Sequence, residues 1–232
     1  MDDLDRYFDY ARSHPEQFVN PPDGLIAVLL DPEQIAEAES LMERRLLARG
    51  VPHDQARAWS RVGIAFQDQY TFLLRDAVRF SNGTLGTYIR FVDPDNSAPG
   101  VIILPIYQGR VVLVRHFRHA ARQWSLELPR GFGEDGLSNE ANALRELEEE
   151  IGAKVERLIA LGSIQPDSGM SAESDALFFA ELSAVGALDT AEGISNLALT
   201  PVPEFERLIA EGAIFDGFTL GAYARAKTRG LI

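Results

Sequence analysis

No cysteine occurs in the 232 residues, which excludes disulfides and thiolate metal sites and leaves no redox compartment to be read. No apolar run approaches the roughly 18 residues that mark a membrane-spanning helix. The first ten residues, MDDLDRYFDY, are acidic and aromatic, whereas a signal peptide starts basic and continues apolar. The expectation is a cytoplasmic protein without a membrane partner. Positive charge is also scarce: 22 Lys and Arg against 35 Asp and Glu leave a net charge of −13. Nothing supplies the broad basic footprint of a nucleic-acid binder, so no such partner is expected. A small phosphate-bearing substrate remains compatible, because a cation held by acidic residues can bridge to phosphate. Internal repeats and low-complexity tracts are absent as well.

What is present is a globular composition, 46% apolar, over a length suited to one large domain or a domain with an extension. Residues 1–65 read as helical. Asp31 is placed to cap a helix that begins at Pro32, carries a stripe of Ile35, Ala38, Met42, Leu46 and Leu47, and stops at Gly50. A shorter helix is expected over His53–Arg61. From about Tyr70 the period changes, and Ser81-Asn82-Gly83 between two β-rich runs predicts a hairpin. Val101–Ile106 is a continuous apolar run, suited to a buried strand, and Val111–Arg115 follows as another. Trp124, Leu126 and Leu128 alternate with Gln123, Ser125 and Glu127, which predicts a half-buried strand with Glu127 on its polar face. Two more strands are expected at Arg157–Ile164 and Ala176–Leu182, and two closing helices at Pro203–Ala210 and from Asp216 or Thr219 to Lys227.

The most informative stretch is Gly131–Ala153, GFGEDGLSNEANALRELEEEIGA. Leu144, Leu147 and Ile151 fall at i, i+3 and i+7 and predict one face of an amphipathic helix, ended by Gly152. Glu146, Glu149 and Glu150 fall at i, i+3 and i+4, so three carboxylates crowd together on another face. Such crowding destabilises a helix unless a cation neutralises it, and oxygen-only ligands suit a hard ion such as Mg²⁺ or Mn²⁺.

This stretch resembles the Nudix box, with Gly131, Arg145, Glu146, Leu147, Glu149, Glu150 and Gly152 in register. Two positions depart: Leu137 stands where the first Glu of the pattern belongs, and Ala153 stands at the final aliphatic position. The preceding VVLVRHFRHA and WSLELPRG, the later QPDSGMSAESD and the closing GAIFDGFTLGAYARA are similar to the ADP-ribose pyrophosphatase branch of that family.

The resemblance implies an α+β Nudix fold, a mixed β-sheet sandwiched between α-helices, over residues 66–232, preceded by a helical N-terminal extension over 1–65. It implies a divalent-metal-dependent hydrolase of a nucleoside diphosphate derivative, with ADP-ribose the leading substrate. Another nucleotide sugar, NADH or a dinucleotide polyphosphate are the alternatives, as is a catalytically weak ADP-ribose or NAD sensor. The implied metal ligands are Glu146, Glu149, Glu150 and the backbone carbonyl of Arg130. The implied catalytic residues are Glu173, as general base or a further metal ligand on a loop, with Glu149 and Arg145. Substrate contacts fall to Arg115, Arg118, Glu127 and Arg130, and a homodimer is expected.

Overall fold

The structure is a computed structural model that describes residues 3–69, 71–92, 98–172, 174–188 and 193–232. The chain divides into two compact units, residues 1–95 with 167–172, and residues 96–166 with 173–232.

The first unit combines helices α1 (Asp3–Ser13), α2 (Pro32–Ala48) and α3 (His53–Ser60) with strands β1 (Ala27–Leu29), β2 (Gly63–Gln67), β3 (Phe72–Arg79) and β4 (Leu85–Val92). β3 is the central strand, pairing antiparallel with β1, β2 and β4. Asp31 caps α2 by accepting hydrogen bonds from the Glu33 and Gln34 amides, with Pro32 at the first helical position, as the sequence predicts. The β3–β4 hairpin turns through Asn82 and Gly83, with Gly83 at φ 82°. β1 and β2 are strands that the periodicity does not announce. The helices and the sheet share one core, in which Tyr7, Phe18, Ile35 and Ala38 pack with Phe72, Leu74 and Val92. A polar triad crosses this core: the Tyr7 hydroxyl donates to Asp76 Oδ1 at 2.6 Å, and Arg90 Nε donates to Asp76 Oδ2 at 2.6 Å. Burial and the adjacent Asp76 carboxylate push the Tyr7 hydroxyl pKa up. Residues 167–172 join this unit along β4, where the Phe91 amide donates to the Met170 carbonyl at 2.7 Å and the Tyr88 hydroxyl to the Gly169 carbonyl at 2.6 Å.

The second unit is built on a mixed sheet. Its strands are β5 (Val101–Tyr107), β6 (Arg110–Arg118), β7 (Gln123–Glu127), β8 (Arg130–Gly131), β9 (Lys154–Ile164), β10 (Asp175–Ala184) and β11 (Ile194–Pro201). They run in the order β11-β6-β5-β10-β9, with β7 paired to β6 and β8 to β5. β5 and β10 are parallel and the other pairs antiparallel. Alternate residues feed two cores. Val101, Ile103, Val112, Val114, Phe178 and Ala180 pack with Ala143, Leu147 and Ile151 of helix α4 (Asn139–Ile151). Ile102, Leu104, Val111, Leu113, Leu177 and Phe179 pack with Phe205 of α5 (Val202–Ala210) and Ala222 and Ala226 of α6 (Gly217–Thr228). Helices on both faces explain why β5 reads as an unbroken apolar run, and the expected sandwich of a mixed sheet between helices is what the structure shows. Among the described residues no helix is long and apolar enough to cross a membrane.

Candidate active site

Helix α4 is set in place at both ends. The Ser138 hydroxyl accepts from the Ala141 amide at 3.1 Å, and Gly152 ends the helix in the left-handed region at φ 58°. A Cβ on Gly152 would also lie 2.9 Å from the Cα of Gly186, so bareness is required there twice over. The loop before the helix is held by buried Asn142, whose Oδ1 accepts from the Glu134 amide at 3.0 Å.

The buried face of α4 differs from the expected stripe. Leu147 and Ile151 are buried, but Leu144 is exposed, and Glu146 and Glu150 turn inward at 6% and 3% exposure. The Glu146 carboxylate lies against Gly131 so closely that a Cβ there would sit 2.1 Å from its Cδ. Glycine at 131 is therefore a matter of close approach, not of backbone torsion. Glu150 Oε2 accepts from the Arg130 amide at 3.2 Å. Glu149 stays half exposed.

Arg145 ties the site's loop and carboxylates together. Its Nη2 donates to Glu146 Oε1 at 2.6 Å and its Nη1 to Glu149 Oε2 at 2.5 Å. Nη2 also reaches the Phe132 carbonyl at 3.4 Å, and Nε stands 3.4 Å from Glu134 Oε2. Leu137 is exposed, and Glu134 supplies a loop carboxylate to Arg145.

A second cluster surrounds Glu127. The polar-face expectation is overturned, because Glu127 and Ser125 are buried at 1% and 4% while Trp124 is 42% exposed. The reason is register: Glu127, Ser125 and Gln123 pair with Val114, His116 and Arg118 of β6, and Val114 belongs to the face covered by α4. Glu127 Oε1 lies 2.5 Å from Arg118 Nη2 and 3.5 Å from His116 Nδ1, and Oε2 lies 3.4 Å from Arg130 Nη2. Arg130 Nη2 also meets Asp216 Oδ1 at 3.4 Å, with the guanidinium 4.7 Å from the centre of the Phe218 ring. Asp216 accepts from the Thr219 amide and hydroxyl, both at 2.8 Å, and so caps α6. The buried Nε atoms of Arg118 and Arg130 have no hydrogen-bond partner among the described residues. Two partly buried guanidiniums with unspent donors suit a phosphate better than a finished structural ion pair.

The structure thus gathers Glu127, Arg118 and Arg130 in one cluster and Arg145, Glu146 and Glu149 in another, with Glu150 bonded to the backbone of β8. It separates Arg115 from Arg118. Arg115 stacks 4.0 Å over the Trp124 ring and reaches Ser195 Oγ at 3.4 Å, on the opposite face of β6. Glu173 lies outside the described residues. His116, Asp216 and Glu134 join the site without a local signal strong enough to mark them. Only their three-dimensional neighbours do so.

Among the described residues no three acidic or histidine side chains gather closely enough to hold an ion unaided. Glu146 and Glu150 are nonetheless two buried oxygen donors one helical turn apart. Mg²⁺ commonly takes one or two carboxylates and completes its shell with water and substrate phosphate. The residues fit an ion bound in that way.

The model of the NUDIX domain matches residues 96–215. The chain belongs to the NUDIX family. This Nudix chain is 44% identical over 80 residues to a mouse (Mus musculus) ADP-sugar pyrophosphatase, covering 32% of the chain and 37% of that protein. It is 28% identical over 160 residues to the ADP-ribose pyrophosphatase of Bacillus subtilis (strain 168), covering 62% of the chain and 85% of that protein. Among solved structures, one described as an ADP compounds hydrolase superposes with a TM-score of 0.64 at 20% identity, covering 74% of this chain and 95% of that one. That likeness speaks for the Nudix fold alone.

Proposed function

We propose that this Nudix protein is a divalent-metal-dependent pyrophosphohydrolase that cleaves the diphosphate bond of a nucleoside diphosphate derivative, most specifically ADP-ribose to AMP and ribose 5-phosphate. The observation that carries the reading is the burial of Glu146 and Glu150 on one face of α4 beside Gly131 and the Arg130 amide. The similarity to an ADP-ribose and an ADP-sugar pyrophosphatase supports the substrate class. We propose the functional division as residues 1–65 added to a catalytic domain of 66–232, acting in the cytoplasm as a homodimer.

Glu146, Glu150 and the Arg130 carbonyl would hold Mg²⁺ or Mn²⁺, with Glu149 sharing the role. When bound, the ion neutralises phosphate charge and lowers the cost of activating water. Arg145 orients Glu146 and Glu149 and pins the loop after Gly131. Arg118 and Arg130, kept in place by Glu127, direct guanidinium donors at the phosphates. Glu173 takes the proton from water as its oxygen bonds to phosphorus, and the bridging P–O bond breaks, releasing one phosphate monoester with each half of the substrate. Arg115, on its platform of Trp124, is assigned the more distant part of the substrate.

The test is AMP release from ADP-ribose, nucleotide sugars, NADH and diadenosine polyphosphates, each with Mg²⁺, Mn²⁺ or chelator. Metal-dependent turnover of ADP-ribose that is lost in Glu150→Gln is the expected result. Turnover of another compound would reassign the substrate. Tight ADP-ribose binding with no turnover of any of them would make the protein a sensor.

A further inference from the structure

The first unit holds a cleft of about 810 Å³ between the strands β2, β3 and β4 on one side and α3 with the start of α1 on the other. That volume is in the usual range of small-molecule sites. The register explains its floor. Gly63, Arg75 and Ile89 stand side by side across β2, β3 and β4, and alternation sends Phe72 and Leu74 to the core while Leu73 and Arg75 line the cleft. Gly63 has no side chain and lets the start of α1 approach, since a Cβ there would lie 3.3 Å from the Asp3 carbonyl oxygen. A smaller cavity of about 340 Å³ shares Glu39, Arg57 and Arg61 with it.

In a chain with a net charge of −13 the lining is charge-balanced, three arginines against three carboxylates. Three arginines, Arg57, Arg61 and Arg75, line one cleft. Its three carboxylates each have a neighbour of their own: Asp3 lies 3.7 Å from Arg6, Glu39 accepts from the Val62 amide within the lining at 2.7 Å, and Asp54 lies 3.9 Å from His53. Among the described residues Arg75 donates through Nη1, to the carbonyls of Ala58 at 3.3 Å and Arg61 at 3.1 Å. Among the described residues no carboxylate pairs with it, and burial lowers its pKa. Trp59, 51% exposed, supplies a flat apolar wall with Leu73 and Ile89. Guanidinium forks match phosphate oxygens, and an exposed indole is a stacking platform for a planar ring.

We infer that this cleft is a second ligand site, for an organic phosphate bearing an aromatic ring, with Arg57, Arg61 and Arg75 on the phosphate and Trp59 on the ring. The inference is independent of the catalytic reading, since it uses none of the residues around α4.

The test follows AMP as probe by calorimetry and by Trp59 fluorescence on the full chain, beside adenosine and inorganic phosphate. AMP is expected to quench the indole and to bind at least tenfold more tightly than adenosine or phosphate alone. The charge reversals Arg57→Glu and Arg61→Glu, both at exposed positions, are expected to weaken that binding at least tenfold together, while Glu150→Gln leaves it intact. In a Trp124→Phe background, where Trp59 is the remaining indole, absence of AMP quenching, or quenching unchanged by the charge reversals, would overturn the site. So would a fluorescence change that follows protein concentration and not AMP, because a second copy of the chain would then fill the cleft.

Discussion

Replacing Gly131 by alanine is expected to lower turnover about 100-fold with little loss of fold. The added Cβ would stand 2.1 Å from Glu146 Cδ and Oε2 and 2.4 Å from Oε1. Comfortable contact between such atoms is about 3.5 Å, so the carboxylate must retreat by more than about 1 Å. It is the far end of a side chain that moves, and the strand is not forced aside. The stability cost should therefore fall at the low end of the roughly 1–3 kcal/mol typical of overpacking, a few degrees in Tm for a chain of this size. Catalysis tolerates the shift far less, since about 1 Å of misplacement can cost about 100-fold in rate. Arg145, which grips the same carboxylate at 2.6 Å, would be dragged with it. The assay is AMP release against Mg²⁺ concentration, with thermal unfolding measured in parallel. A drop of about 100-fold in kcat with a raised Mg²⁺ requirement and a near-native Tm is expected. Wild-type turnover and metal response in Gly131→Ala would refute the assignment of Glu146.

Removing the Tyr7 hydroxyl in Tyr7→Phe deprives buried Asp76 of one of its two charge-assisted partners and should destabilise the first unit by about 1.5–3 kcal/mol, read by urea unfolding. Because folding raises the Tyr7 pKa above its ordinary value of 10.0, that hydroxyl's contribution is whole below about pH 10 and declines above it, as the unfolded chain ionises first. Wild-type stability should therefore fall more steeply above pH 10 than that of Tyr7→Phe. On the acid side, hydrogen bonds from Lys227 and Tyr223 lower the Glu206 pKa, so its contribution is present above the ordinary carboxylate range and lost as pH falls through the depressed value; Glu206→Gln should flatten that part of the acid unfolding curve. Glu134→Gln removes a loop carboxylate near Arg145 and should lower kcat about tenfold or less, whereas Arg145→Ala, which frees Glu146, Glu149 and the loop together, should lower it at least about 100-fold; equal effects from the two would contradict the bridging role of Arg145.

Helix α4 was legible because its apolar period, its left-handed glycine and its acidic spacing are all local signals. The side it buries was less so: Leu144 is outside and Glu146 and Glu150 inside, because polar burial depends on Gly131 and the Arg130 amide, which sit on another element. Glu127 misled for a related reason. Alternation in β7 identifies two faces but not which is covered, and here Trp124 leaves the core to lie beneath Arg115. β1, three residues long, and β2 carry little periodicity of their own and exist as strands through pairing with β3. The arginine cleft was invisible for the same reason, since Arg57, Arg61 and Arg75 meet only once α3 and β3 are assembled.

The parallel pairing of β5 with β10 has a kinetic consequence. Val101 meets Ala176, and Tyr107 meets Leu182, so the chain must close a loop that contains the whole of α4 before the centre of the sheet exists. Loop closure of that length costs entropy before any contact repays it, which slows folding. The acidic helix packs on β5, β8 and β9, and the sheet beneath it is complete only when β10 joins, so catalytic competence should emerge in the last refolding phase, together with near-native aromatic signals and not with early helix formation.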